Sequence, residues 1–111
     1  MNIETIREYI LQKSDVTEGF PFGEDTLVFK VKNKIFFLAG LNSSPLQFNV
    51  KCDPDKAIEL RAEYPETVLP GFHMNKKHWN TVIVDGRLSA KQLMEMIDDS
   101  YDLVNPKKRV K

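Results

Sequence analysis

The densest group of chemically active side chains lies in residues 70–81, which read Pro-Gly-Phe-His-Met-Asn-Lys-Lys-His-Trp-Asn-Thr. Lysine side chains contact phosphates, aromatic rings stack on bases, and asparagine amides read base edges. The candidates for such contacts are Lys76, Lys77, His78 and Asn80. For Trp79 two interpretations stay open: its ring stacks on a base, or it fills the core behind a basic loop.

Three residues elsewhere extend this set. Lys51 and Arg87 would add phosphate contacts, and Asn49 would add a hydrogen bond. The net charge is zero, with 16 Lys and Arg against 16 Asp and Glu, which argues against a strongly cationic nucleic-acid binder. The charge is uneven, however, because residues 1–66 carry 8 basic and 11 acidic side chains whereas residues 67–111 carry 8 and 5. The C-terminal half could therefore present a basic surface, although ordinary solvated faces would give the same count.

The metal-ligating residue types are sparse. Cys52, His73 and His78 do not match the paired spacings of structural zinc sites. An acidic surface on the first helix, with Glu4, Glu8 and Asp15, could collect hard or iron-like cations, but a solvated acidic face is the better explanation. We expect no metal and no cofactor.

Catalytic patterns are equally weak. The neighbouring charge of Asp53 would raise the pKa of Cys52 rather than activate its thiol. No serine lies in a nucleophile-elbow sequence, and no glycine-rich phosphate loop occurs. The sequence therefore predicts a protein that is not an enzyme.

The bulk composition is that of an ordinary globular domain, with 41% hydrophobic and 29% charged residues in 111. No apolar run reaches the ~18 residues of a membrane span. The N-terminus lacks the plan of a signal peptide, and Cys52 has no intrachain partner. We expect one domain over residues 1–111 that is cytoplasmic, makes no membrane contact and works as a monomer.

The first half of the chain predicts a helix and three strands. Ile3, Ile6 and Ile10 form one apolar stripe of a helix over about residues 2–13. Ser14-Asp15 ends the helical pattern, and a loop that contains Gly19, Pro21 and Gly23 follows. Strands are predicted over 26–31, 35–39 and 46–50 from apolar alternation or a continuous apolar run, and Lys32-Asn33 turns the first into the second.

The second half predicts a helix, two strands and a last helix. Asp53-Pro54 suits the start of a helix that Pro65 ends. Strands follow over about 68–72 and 79–84, and Ser89 with Gln92 forms a capping box for the third helix. The basic tail over 105–111 is expected to fray. Runs of consecutive strands favour an α+β fold, with an antiparallel sheet whose helices pack on one face.

Four segments in the right order resemble the MmcQ/YjbR family. They are Phe20–Gly23 with Thr26–Val31, then Asn49–Pro54, Gly71–Thr81 and Asp98–Val104. Asn33 stands where the family usually has a glycine in the hairpin turn. The resemblance covers nearly the whole chain and implies an α-β(3)-α-β(2)-α fold, similar to secretion chaperones and loosely to frataxin-like proteins.

The resemblance also implies a function, because the family is described as binding DNA through a double-wing arrangement of β-hairpins. It supplies no catalytic residue. Our leading hypothesis is a non-enzymatic DNA-binding module in which Lys51, Lys76, Lys77 and Arg87 contact phosphates. The alternative is a protein-interaction module that uses the open face of the sheet. If the four cations fall on different faces, the DNA hypothesis loses most of its support from the sequence.

Overall fold

The computed structural model describes residues 1–72 and 74–105. These residues form helices α1 (Ile3–Leu11), α2 (Pro54–Glu63) and α3 (Ala90–Val104), and strands β1 (Val16–Gly19), β2 (Thr26–Val31), β3 (Lys34–Gly40), β4 (Leu46–Lys51), β5 (Val68–Pro70) and β6 (Trp79–Val84). His73 and most of the predicted frayed tail lie outside the described residues. Asn105, the first residue of that tail, is buried, and its N–H donates to the carbonyl of Tyr101.

The strands form one antiparallel sheet in the order β1-β2-β3-β4-β6-β5. This confirms the predicted α+β class. Lys32 and Asn33 both have positive φ, 51° and 69°, as a two-residue hairpin turn requires. Asn33 can therefore replace the usual glycine, because asparagine tolerates the left-handed conformation.

Strand β1 was not predicted, and its residues were assigned to a loop. Val16–Gly19 pairs with β2 in the register Val16 to Val31 and forms an edge of the sheet. The helix-strand order is therefore α-β(4)-α-β(2)-α. Only Val16 in this strand has a large apolar side chain, so backbone hydrogen bonds to β2 rather than side-chain alternation define the strand.

The helices cover one face of the sheet. Ile6 and Ile10 of α1 and Ile97 of α3 share a buried cluster with Phe37 and Phe48 of the central strands. Asn2, Asp53 and Ser89 cap the three helices, and the predicted capping box of Ser89 and Gln92 is present.

Ser100 joins α3 to the sheet from inside the core. Its hydroxyl donates to the carbonyl of Phe36 (2.6 Å) and accepts from the N–H of Lys51 (2.8 Å). Two further interactions link α3 to α1 and to the segment after it, since the Tyr9 hydroxyl and the Lys13 ammonium both bind the Asp98 carboxylate. The helical layer therefore packs on one side of the sheet, and the other side is not covered by helices.

Candidate functional site

The face opposite the helices carries one continuous row of side chains across the whole sheet. Strand register aligns the six positions of this row, which are Gly19, Val28, Leu38, Asn49, Thr81 and Leu69. A second pair on this face, Lys51 and Trp79, lies one step along β4 and β6. We call this side of the sheet the open face. It combines apolar, amide and hydroxyl groups with a lysine and an indole.

A groove of about 480 Å³ runs over the centre of the open face. Its floor contains Leu38, Gln47 and Asn49, with Thr81 beside them. Phe22 stands at one rim, in the loop before β2, and Phe72 and Met74 stand at the other, in the connection between β5 and β6. The side chains of Phe22 and Phe72 are 64% and 65% exposed. The groove therefore offers amide donors and acceptors between two exposed aromatic rings.

The Phe72 rim is fixed to the floor by hydrogen bonds. The N–H of Phe72 donates to the Thr81 hydroxyl (2.8 Å), and that hydroxyl donates to the Asn49 side-chain oxygen (2.5 Å). These two hydrogen bonds orient the Asn49 amide, whose NH₂ group is the remaining donor on the side chain. The groove wall and its floor are therefore preorganised together.

Arg61 of α2 holds the same connection from behind. Its Nε donates to the side-chain oxygen of Asn80 (2.7 Å), and its terminal nitrogen donates to the carbonyls of Trp79 (3.2 Å) and Lys76. Gly71 allows the connection to lie close to Trp79, because a Cβ at position 71 would be 2.7 Å from the Trp79 Cβ. Sequence reasoning did not single out Arg61, since no local pattern shows which distant loop a helical arginine reaches.

The charged side chains of the strands are distributed unequally between the two sides of the sheet. All strand residues lie in the described part of the chain, and their only carboxylate is Glu18. Glu18 aligns with the core residue Phe29 and pairs with Arg7 of α1, so it belongs to the helical side. Lys30 aligns with Thr17 and alternates with the core residues Phe29 and Val31, which places it on the open face with Lys51. The strands therefore contribute cations and no anion to the open face.

Part of the predicted nucleic-acid-binding set gathers near the groove. Asn49 lies in its floor, and Lys51 lies one step along the same strand. Lys77 is exposed in the turn before β6, where its N–H donates to Asn75. His78 is half-buried, and its carbonyl accepts from the N–H of Cys52. The predicted loop around Lys76 and Lys77 is confirmed, although the Lys76 ammonium is already bound to the carbonyl of Gly71 (3.0 Å).

Two predicted contacts lie elsewhere. Asn80 is 1% exposed and points to the helical side, where it accepts from Arg61, so its side chain does not reach the open face. Arg87 follows the far end of β6, about 17 Å along the strand from Trp79 at ~3.3 Å per residue. Its guanidinium pairs with Asp85 (2.5 Å) and Glu66 (2.7 Å). Alternation along β6 and the local ion pairs explain both differences.

Of the two interpretations of Trp79, the structure contradicts the one in which it fills the core, and stacking on a base stays a prediction. Alternation places it on the face opposite to Asn80 and the core residue Val82, so it does not fill the space between sheet and helices. It is half-buried behind the connection that begins at Gly71. The Trp79 side chain therefore lies on the open face, beside the connection that forms the groove rim.

Among the described residues, the remaining candidates for chemistry give no sign of a second site. Burial is the main cause that raises the pKa of the Cys52 thiol, and Asp53 adds only a smaller effect in the same direction. Within residues 1–72 and 74–105, no three His, Cys, Asp or Glu side chains are grouped as metal ligands. None of the helices in this part of the chain is long and apolar enough to cross a membrane.

The sequence of this chain is similar to those of two proteins from Escherichia coli. The uncharacterized protein YbdF of Escherichia coli O157:H7 is 39% identical over 102 residues, which cover 91% of this chain and 82% of YbdF. YjbR of Escherichia coli K12 is 28% identical over 101 residues, with 91% and 85% covered.

Solved structures are also similar to this chain in sequence and fold. The Deinococcus radiodurans protein DR2400, with domain DUF419, superposes with a TM-score of 0.91 at 38% identity, over 99% of this chain and 82% of that one. A Pseudomonas syringae protein gives a TM-score of 0.77 at 28% identity, with 95% and 100% covered. The family model YjbR matches residues 11–103. The chain therefore belongs to the YjbR family.

Proposed function

We propose that this protein is a non-enzymatic nucleic-acid-binding module that holds DNA on the open face of its sheet. The observation that carries the proposal is the charge of the strands on the open face, since they place Lys30 and Lys51 there and no carboxylate. A polyanion is attracted to such a face even when the whole protein is neutral. In the double wing of the MmcQ/YjbR family, the β2–β3 and β5–β6 hairpins would be the wings.

Each contact in the proposal has its own role. Lys51 and the exposed Lys77 bind phosphate oxygens, which position the ligand without reading its sequence. The amides of Asn49 and Gln47 face the groove and supply hydrogen bonds to base edges. Two or three phosphate contacts on a neutral protein give weak binding, on the order of 10⁻⁴–10⁻⁶ M at physiological salt.

The test measures salt dependence by fluorescence anisotropy of a labelled oligonucleotide. Each lost phosphate contact lowers the slope of log affinity against log salt by about 0.9 on a duplex and about 0.7 on a single strand. We expect Lys51→Ala to lower the slope by up to that amount. Arg87→Ala removes one exposed cation from the distant end of β6 and is the matched control, with no change expected. Equal slopes for wild type and Lys51→Ala would refute the assignment.

One observation favours a second candidate, the protein-interaction module. Phe20, Phe22 and Phe72 are at least half exposed, and exposed apolar clusters mark protein interfaces. An apolar peptide in the groove would bind with little dependence on salt, because few counterions would be released. Binding of no nucleic acid at low salt would favour this candidate.

A further inference from the structure

The aromatic rims of the groove are the feature that phosphate contacts leave unexplained. Phe22 and Phe72 belong to different loops, yet both line the same groove and stay mostly exposed. Large aromatic side chains are usually buried, so two exposed rings on one groove indicate contact with a ligand. The chain also offers a comparison, since Ile58 is 62% exposed on α2, away from the groove.

Aromatic rings can stack only on bases whose faces are accessible. In a duplex each base is covered by its neighbours, whereas the unpaired bases of a single strand can turn toward a protein surface. A protein that depends on duplex phosphates makes on the order of 6–10 such contacts. The open face and the turn beside it supply Lys30, Lys51 and Lys77, which is fewer cations than such a set of contacts needs, so the charge present suits a ligand that gains affinity from stacking instead.

We infer that the groove binds single-stranded DNA, with bases stacked on Phe22 and Phe72 and phosphates directed to Lys51. The inference rests on the proposed function and specifies its ligand. The floor supports it, because the Asn49 and Gln47 amides line the groove beside the apolar Leu38, where base edges would meet them. The volume of about 480 Å³ lies in the range of roughly 300–1,000 Å³ that ligand sites occupy.

The experiment compares three labelled ligands of one sequence at low salt. They are a single DNA strand of about 12 nucleotides, its duplex, and the corresponding single RNA strand; this length lies within the site sizes of ~4–16 nucleotides for stacking surfaces. Anisotropy gives the affinities, and fluorescence of Trp79, the sole tryptophan, reports binding beside the groove without a label. The variants are Phe22→Ala, Phe72→Ala and the control Ile58→Ala, and circular dichroism checks that each is folded.

We expect the single DNA strand to bind more tightly than the duplex. Each phenylalanine substitution should weaken that binding by roughly tenfold, while Ile58→Ala leaves it unchanged. Tighter binding to the duplex, or a single-strand affinity insensitive to both phenylalanine substitutions, would overturn the inference and leave the proposed function standing. Tighter binding to RNA would overturn the assignment to DNA. Binding to none of the three would overturn the proposed function itself.

Discussion

Replacement of Arg61 by methionine is the sharpest test of how the groove is built. Methionine keeps an unbranched apolar stem but removes three hydrogen bonds to Asn80, Trp79 and Lys76. The two carbonyl acceptors lie near the surface loop and can bind water instead. The Asn80 oxygen cannot, because that residue is 1% exposed. An orphaned buried acceptor costs about 1–3 kcal/mol, and bonds from a charged donor contribute about 1.5–3 kcal/mol. We expect the free energy of unfolding to fall by about 2–3 kcal/mol.

A double-mutant cycle identifies the cause of that loss. If the orphaned oxygen dominates, Asn80→Leu in the Arg61→Met background should remove the penalty, and the two changes should couple by at least ~1 kcal/mol. Lys56→Met is the control, because it removes another cation of α2 whose ion pair with Asp99 is about half exposed and worth at most ~1 kcal/mol. Urea denaturation followed by Trp79 fluorescence measures all four variants. An additive cycle, or a loss for Arg61→Met no larger than the control's, would refute the argument.

Three further predictions follow from single contacts. Gly71→Ala should destabilise the protein by about 1–3 kcal/mol in chemical denaturation, because its Cβ would meet the Cβ and carbonyl of Trp79 at 2.7 and 2.9 Å. Trp79→Ala should cost less than the ~3–5 kcal/mol of a fully buried tryptophan, because the ring is half-buried on the open face; a loss within that range would place it in a core. Burial and then the hydrogen bond to Asp98 raise the pKa of Tyr9 to about 12, so its stabilising effect should be complete below pH ~10 and lost as the pH approaches 12. The difference in tyrosinate absorbance between wild type and Tyr9→Phe during alkaline titration gives this midpoint, and a value near 10 would contradict the prediction.

Local sequence patterns predicted the helices and strands that are marked by the alternation or the capping of their own side chains. The bounds of β2 and β6 follow from alternation between turn residues, and the capping box fixes the start of α3. The sequence did not predict strand β1, because this edge strand has only one large apolar residue and forms through backbone hydrogen bonds to β2. The same distinction holds for the residues of the candidate site. Residue type placed Asn49 and Lys51 among the candidates, and alternation along β6 turns Asn80 inward, but only the packing of α2 brings Arg61 to it.

Neutral net charge and local attraction of an anion are compatible here because of distance. The three helices pack on the side of the sheet opposite to Lys30 and Lys51, and an α-helix is about 10–12 Å in diameter, so a carboxylate on the outer surface of a helix is separated from the open face by at least that thickness. At physiological ionic strength the Debye length is about 8 Å, so those carboxylates are largely screened from a ligand on the open face. The same screening removes long-range attraction between the neutral protein and DNA. We therefore expect salt to change the dissociation rate more than the association rate, a pattern that stopped-flow measurements at several salt concentrations would distinguish from electrostatic steering.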